Sequence, residues 1–348
     1  MKKVFDPLIS AAGRAPKNSL YTQHIPQERK PEQFKRFKNL ETDISRVAPL
    51  PGGGFLAILK ENDDEIILLC TPSLSPSEVA ELTDACIREM DTSEIEFDET
   101  MFIIGLHDLP SFFQLKSSYR TQDAARDIVD LADTAEYDGH SIYDLMTYYQ
   151  PVSALRVHPG NSIHGMDIAS LALLIIFYQR NLRSPIVDTK TYEKIIKLRG
   201  KVGCKDDNLF QALTASQWRH AFLDLYRCLE SLFFFPWMKK LKDDIGANLN
   251  IEALHEHVHA ALSWNAKEDQ SIASLFELVG EKEPLRSTEE IGIFSDLLSQ
   301  QSSRPSSFAD RVYQARNMLV HHEDKTRKKA PPQALKIIEN CVALSAIS

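Results

Sequence analysis

The sequence predicts an α+β protein in which a mixed α/β domain precedes an all-helical bundle. Three observations carry that expectation. Apolar runs flanking turn-rich segments, the mark of strands, occur only before residue 200. Beyond Lys205-Asp206-Asp207 the apolar residues recur at helical spacing instead. The chain has 348 residues, 43% of them hydrophobic, which is enough for two domains with cores of their own.

Residues 1–50 read as a basic arm punctuated by Pro7, Pro16, Pro26, Pro31 and Pro49, with little regular structure before Glu32. Residues 51–200 read as the mixed α/β domain. Its opening, Pro51-Gly52-Gly53-Gly54, lacks the Gly-Lys-Ser/Thr ending of a phosphate loop and is expected to be a flexible entrance to a hairpin. The apolar runs 55–59 and 66–70, around Glu61-Asn62-Asp63-Asp64, predict that hairpin. Ser75, Pro76 and Glu78 have the spacing of a capping box and start a helix expected to reach about Met90.

The run Met101-Phe102-Ile103-Ile104-Gly105 is expected to be a buried strand. Helices are expected over 122–135, 141–149 and 163–181, the last capped by Asn161 or Ser162. Residues 168–178 are apolar all round, which suits a buried helix and is too short for a bilayer.

Residues 206–348 read as the helical bundle. Helical spacing runs through 216–241, with Phe222, Leu225, Leu229 and Leu232 on one side. Further helices are expected over 251–264, 271–278, 288–298, 308–321 and 332–347, and residues 299–307 as a flexible connection.

A net charge of -9 argues against a passive nucleic-acid coat. The balance is uneven, however: residues 1–52 carry +5 and residues 301–348 carry +4, against an acidic body. Five cysteines with no CxxC spacing, and no apolar core after the first residues, lead to the expectation of a soluble cytoplasmic protein without a secretory signal.

Chemistry concentrates in residues 308–322. Phe308, Val312, Ala315 and Leu319 form one apolar face, while Asn317 and His321, four apart, share another. Arg316 and His321 are five apart, roughly 140° around an ideal helix, so they cooperate only if the helix frays or a second copy completes the site. RNA carries its own nucleophile, the 2′-hydroxyl. Breaking its backbone requires a base, an acid and a cation for the charge that builds on phosphate. A histidine serves the first two near neutrality and an arginine the third. Lys325, Arg327, Lys328 and Lys329 follow as a cluster placed to attract a polyanion.

The Arg316-Asn317-x-x-x-His321 pattern late in a helical domain resembles the HEPN superfamily, whose signature is Arg, a polar residue, a short gap and His. Residues 218–233, with an acidic residue in an apolar setting, are similar to that family's first long helix. The resemblance covers residues 206–348. It implies a metal-independent endoribonuclease needing no cofactor, often dimeric, of the kind found in toxin–antitoxin, abortive-infection and antiphage systems. It assigns Arg316 to the scissile phosphate, His321 to acid or base chemistry, and Asn317 to orienting either. Glu230 is a candidate to hold Arg316. His322 offers a second alignment of the motif. The expected partners are RNA (host or phage transcripts, or tRNA), a second copy of the chain, and an inhibitor, antitoxin or phage trigger. The domain at 51–200 would then be a sensor or regulator.

Three other readings stay open. The helical domain could bind nucleotide or a partner without turnover. His255-Glu256-x-x-His259 matches the zinc-hydrolase pattern HExxH, with Glu277 as a conceivable third ligand. The blandest reading makes Arg316 a solvated helix residue and His321 a helix-end histidine favoured by the macrodipole.

Overall fold

The computed structural model describes Arg36 and residues 39–119, 142–201, 204–264, 266–279 and 308–321. The chain divides into two units, one through Leu182 and one from Arg183 onward. The division falls well before the expected boundary at 200–206. Ser184 N–H donates to Leu213 O at 2.7 Å and Arg183 Nε to Val187 O at 2.8 Å, which ties residues 183–187 into the second unit.

The first unit is built on a five-stranded antiparallel sheet ordered β1-β2-β3-β5-β4. Its strands are β1 (Leu40–Leu50), β2 (Gly54–Glu61), β3 (Asp64–Cys70), β4 (Ser93–Ile95) and β5 (Ser153–Val157). The β2–β3 hairpin matches the sequence reading. Glu61 pairs with Asp64 across a two-residue turn, in which Asn62 takes a left-handed φ of 59°. β1 corrects the arm reading over 40–50: Leu40, Glu41 and Thr42, and again Val47 to Leu50, pair with β2 on either side of an irregularity. Pro51–Gly53 forms the tight turn between β1 and β2, with Gly52 and Gly53 at φ 76° and 80°. Gly54 is required for a different reason, since a Cβ there would stand 2.4 Å from Cys70 O.

β2 and β3 are buried along nearly their whole length, so both faces of the sheet are covered. Phe55, Ala57, Leu59, Ile66 and Leu68 pack with α2 (Glu99–Asp108) and α3 (Ile142–Met146). Leu56, Ile58, Ile67 and Leu69 point the other way. On that side lies α4 (Ile168–Tyr178), which touches β1, β2 and α1 (Pro76–Met90). The capping box of α1 forms as its spacing predicts.

The expected strand at Met101–Gly105 is a helix instead. Asp98 caps it, accepting from Met101 N at 3.0 Å, and residues 99–105 are all buried. A short apolar run buried on every side has no period that separates strand from helix. The cap expected at Asn161 or Ser162 is also corrected. α4 starts at Ile168 behind Asp167, which accepts from Ser170 N, whereas Asn161 closes a local turn onto Ile163 N.

In the second unit every regular element among the described residues is a helix. These are α5 (Thr189–Ile196), α6 (Asp206–Thr214), α7 (Trp218–Glu230), α8 (Phe235–Ile245), α9 (Ile251–Leu262), α10 (Glu268–Val279) and α11 (Phe308–His321). The single period expected over 216–241 is broken at residues 231–234, and Pro236 opens α8. No described helix is long and apolar enough to cross a membrane. The helices expected over 122–135, 288–298 and 332–347, the connection 299–307 and the arm before Arg36 lie outside the described residues.

Candidate active site

α7, α10 and α11 touch one another pairwise, and the motif arginine lies where they meet. α11 buries Val312, Ala315 and Leu319, three residues of the apolar face read from the sequence, and also Ala309, which that reading did not include; the side chain of Phe308 is outside the described residues. Arg316 follows Ala315 and so sits at the edge of that face. Its side chain is 25% exposed.

Each nitrogen of the Arg316 guanidinium faces an acceptor. Nη1 donates to Asn317 Oδ1 at 2.9 Å. Nη2 lies 3.5 Å from Glu230 Oε1, at the end of α7, and Nε lies 3.4 Å from Glu268 Oε1, at the start of α10. The guanidinium carbon stands 5.9 Å from the centre of the Tyr226 ring, within cation–π range. Tyr226 is buried and donates its hydroxyl to Glu268 Oε1 at 2.8 Å. The cluster is therefore one cation and two carboxylates on an aromatic floor.

Burial raises the Glu230 carboxyl, and Glu268 adds to the rise, while Arg316 opposes it; the net direction is up. Tyr226 is driven further up, first by burial and then by its bond to Glu268, so it stays a neutral donor. Asp224, the other acidic residue of α7, is buried and pairs with Arg227 at 2.6 Å; it is not part of the cluster.

The structure thus brings together Arg316, Asn317 and Glu230. Sequence reasoning missed Tyr226 and Glu268. Tyr226 lay four residues before Glu230 on the same helix, a usable signal. Glu268 had none, because α10 is far from α11 in sequence. His321 closes α11, but its side chain lies outside the described residues, as do His322, Lys325, Arg327, Lys328 and Lys329.

The HExxH residues lie on α9. His255 and His259 have ring centres 6.0 Å apart, and Glu256 is exposed. Among the described residues no three His, Cys, Asp or Glu side chains are grouped to hold a metal ion, and Glu277 is an exposed residue of α10.

Comparison with protein-family models, with curated proteins and with solved structures finds no match to this chain.

Proposed function

We propose that the second unit is a HEPN-type, metal-independent endoribonuclease in which Arg316 receives the scissile phosphate. The supporting observation is how Arg316 is held. Its ion contacts, at 3.4 and 3.5 Å, are longer than the 2.7–2.9 Å typical of strong charge-assisted bonds. The aromatic floor and the Asn317 bond order the guanidinium without saturating it. A phosphate able to offer two short bonds would compete well for such a cation.

In the reaction the 2′-oxygen attacks phosphorus, a base removes its proton, and the P–O5′ bond breaks as an acid protonates O5′. His321 supplies the imidazole chemistry, and Arg316 offsets charge on the phosphoryl oxygens. Five-residue spacing on a helix keeps Arg316 and His321 of one chain apart, so a homodimer would complete the site with residues from both copies. The first unit would restrain or trigger the nuclease, in answer to an inhibitor, antitoxin or phage protein.

A second reading is favoured by one specific feature: the Nε and Nη2 edge, the natural grip for phosphate, already faces two carboxylates. A HEPN-like module that binds a partner without turnover would keep that arrangement. Total RNA incubated with the full chain in EDTA separates the two. Cleavage that survives the chelator and is lost in both Arg316→Ala and His321→Ala supports the nuclease. Absence of cleavage with and without added triggers favours the binding module.

A further inference from the structure

We infer that His255 and His259 form a two-imidazole chelating site for a borderline divalent transition metal, such as Cu2+ or Zn2+, on the surface of α9. The site is separate from the Arg316 cluster and does not depend on the nuclease reading.

Residues four apart on a helix share a face, and these two rings are near neighbours, with centres 6.0 Å apart and planes at 29°. Two imidazoles on one ion, each with a metal–nitrogen bond of about 2.0–2.1 Å, have ring centres roughly 5–6 Å apart. The observed spacing is close to that without any change in the helix.

Both rings are also held from behind. His259 Nδ1 lies 3.1 Å from Trp264 O. A carbonyl only accepts, so Nδ1 is the donor, and in the neutral tautomer this leaves the Nε2 lone pair for a metal. Metal-ligating histidines are set by this same backing bond to a carbonyl or carboxylate. The His255 ring stacks on Phe234 with centres 4.1 Å apart and planes at 19°. That contact fixes the ring plane through carbon atoms and leaves the nitrogens unspent.

The helix carrying them is fixed at both ends. Asn250 caps it onto Ala253 N at 2.7 Å, and Ser263, at φ 49°, closes it onto His259 O at 2.8 Å. His259 is exposed and His255 half-buried, so an ion would complete its shell with water. With no third ligand grouped there among the described residues, the pair is proposed as a chelate rather than a hydrolase centre.

The test uses the full chain. Cu2+ is added at one equivalent and the nitrogen couplings are read by pulsed electron paramagnetic resonance, while Zn2+ affinity is measured by calorimetry. Two equivalent imidazole nitrogens are expected in the native chain. His259→Ala and His255→Phe, the latter keeping the stack on Phe234, should each reduce them to one and weaken Zn2+ by about tenfold or more. His257→Ala, an exposed neighbour outside the pair, should leave both unchanged. Cu2+ coordination and Zn2+ affinity that are the same in native, His255→Phe and His259→Ala chains would overturn the site. So would a loss that His257→Ala reproduces.

Discussion

The Tyr226 hydroxyl donates to Glu268 Oε1 at 2.8 Å, and that same oxygen stands 3.4 Å from Arg316 Nε. A buried phenol thus aims a carboxylate at the motif arginine. The phenol and the carboxylate come from α7 and α10, neither of them the helix bearing the motif.

Glu268→Gln tests what that carboxylate does. The amide keeps an acceptor for Tyr226 but removes a negative charge beside Arg316. At separations near 6 Å in a wet site, one repulsive charge is worth about 1 kcal/mol against an incoming phosphate. RNA affinity, followed by fluorescence anisotropy with a labelled oligonucleotide, should rise by roughly threefold to tenfold. Unchanged affinity would sink the idea that phosphate meets Arg316.

Tyr226→Phe keeps the aromatic floor and deletes the donor. Glu268 then loses its neutral partner in a half-buried setting. The expected destabilisation is about 1 kcal/mol, read from the midpoint of urea unfolding at constant slope. A loss above about 3 kcal/mol would mean the ring itself had moved.

In the first unit, Glu65 is buried and holds Arg46 through both carboxylate oxygens, while Gly165 N–H donates to it at 3.0 Å. Arg46 in turn reaches Met166 O at 2.8 Å. Burial pushes the Glu65 carboxyl up, but the Arg46 and Gly165 hydrogen bonds and the Arg46 charge outweigh it and hold it below its ordinary range. Its folded pKa is depressed, so its stabilisation is present above the unfolded carboxylate range and is lost as pH falls through the folded one. Glu65→Ala should cost about 2–4 kcal/mol at pH 7, because it strands Arg46. The difference from the native chain should shrink in acid, and a difference that grew on acidification would contradict the pairing.

Gly105 lies within α2 where a helix would favour alanine. A Cβ there would stand 2.2 Å from Cζ of Phe113, a ring buried among Phe55, Phe97 and Phe102. Gly105→Ala should therefore destabilise by about 1–3 kcal/mol, despite alanine's better propensity. A thermal midpoint equal to or above the native one would show that the ring can give way.

Features governed by neighbours in sequence were legible before any coordinates. The Ser75 capping box, the β2–β3 hairpin and the buried Val312, Ala315 and Leu319 of α11 all follow from spacing between near neighbours in the chain. The short strands β4 and β5 were not legible, because three to five residues carry too little period and pair only with distant partners. β1 was hidden by its polar composition: most of its residues are only half-buried or exposed, and its pairing partner β2 supplies the apolar half of the ladder.

The sequence alone determined that Val312, Ala315 and Leu319 would be buried on one side of α11 and that Asn317 would lie off that face, since helix periodicity is a local property. Only the tertiary structure decided that Met101–Gly105 would be helix, that the second unit would begin at Arg183, and that Tyr226 and Glu268 would close around Arg316. The physical reason is the same in each case. Burial on all sides erases the local pattern, and an ion cluster drawn from three helices is set by how those helices pack.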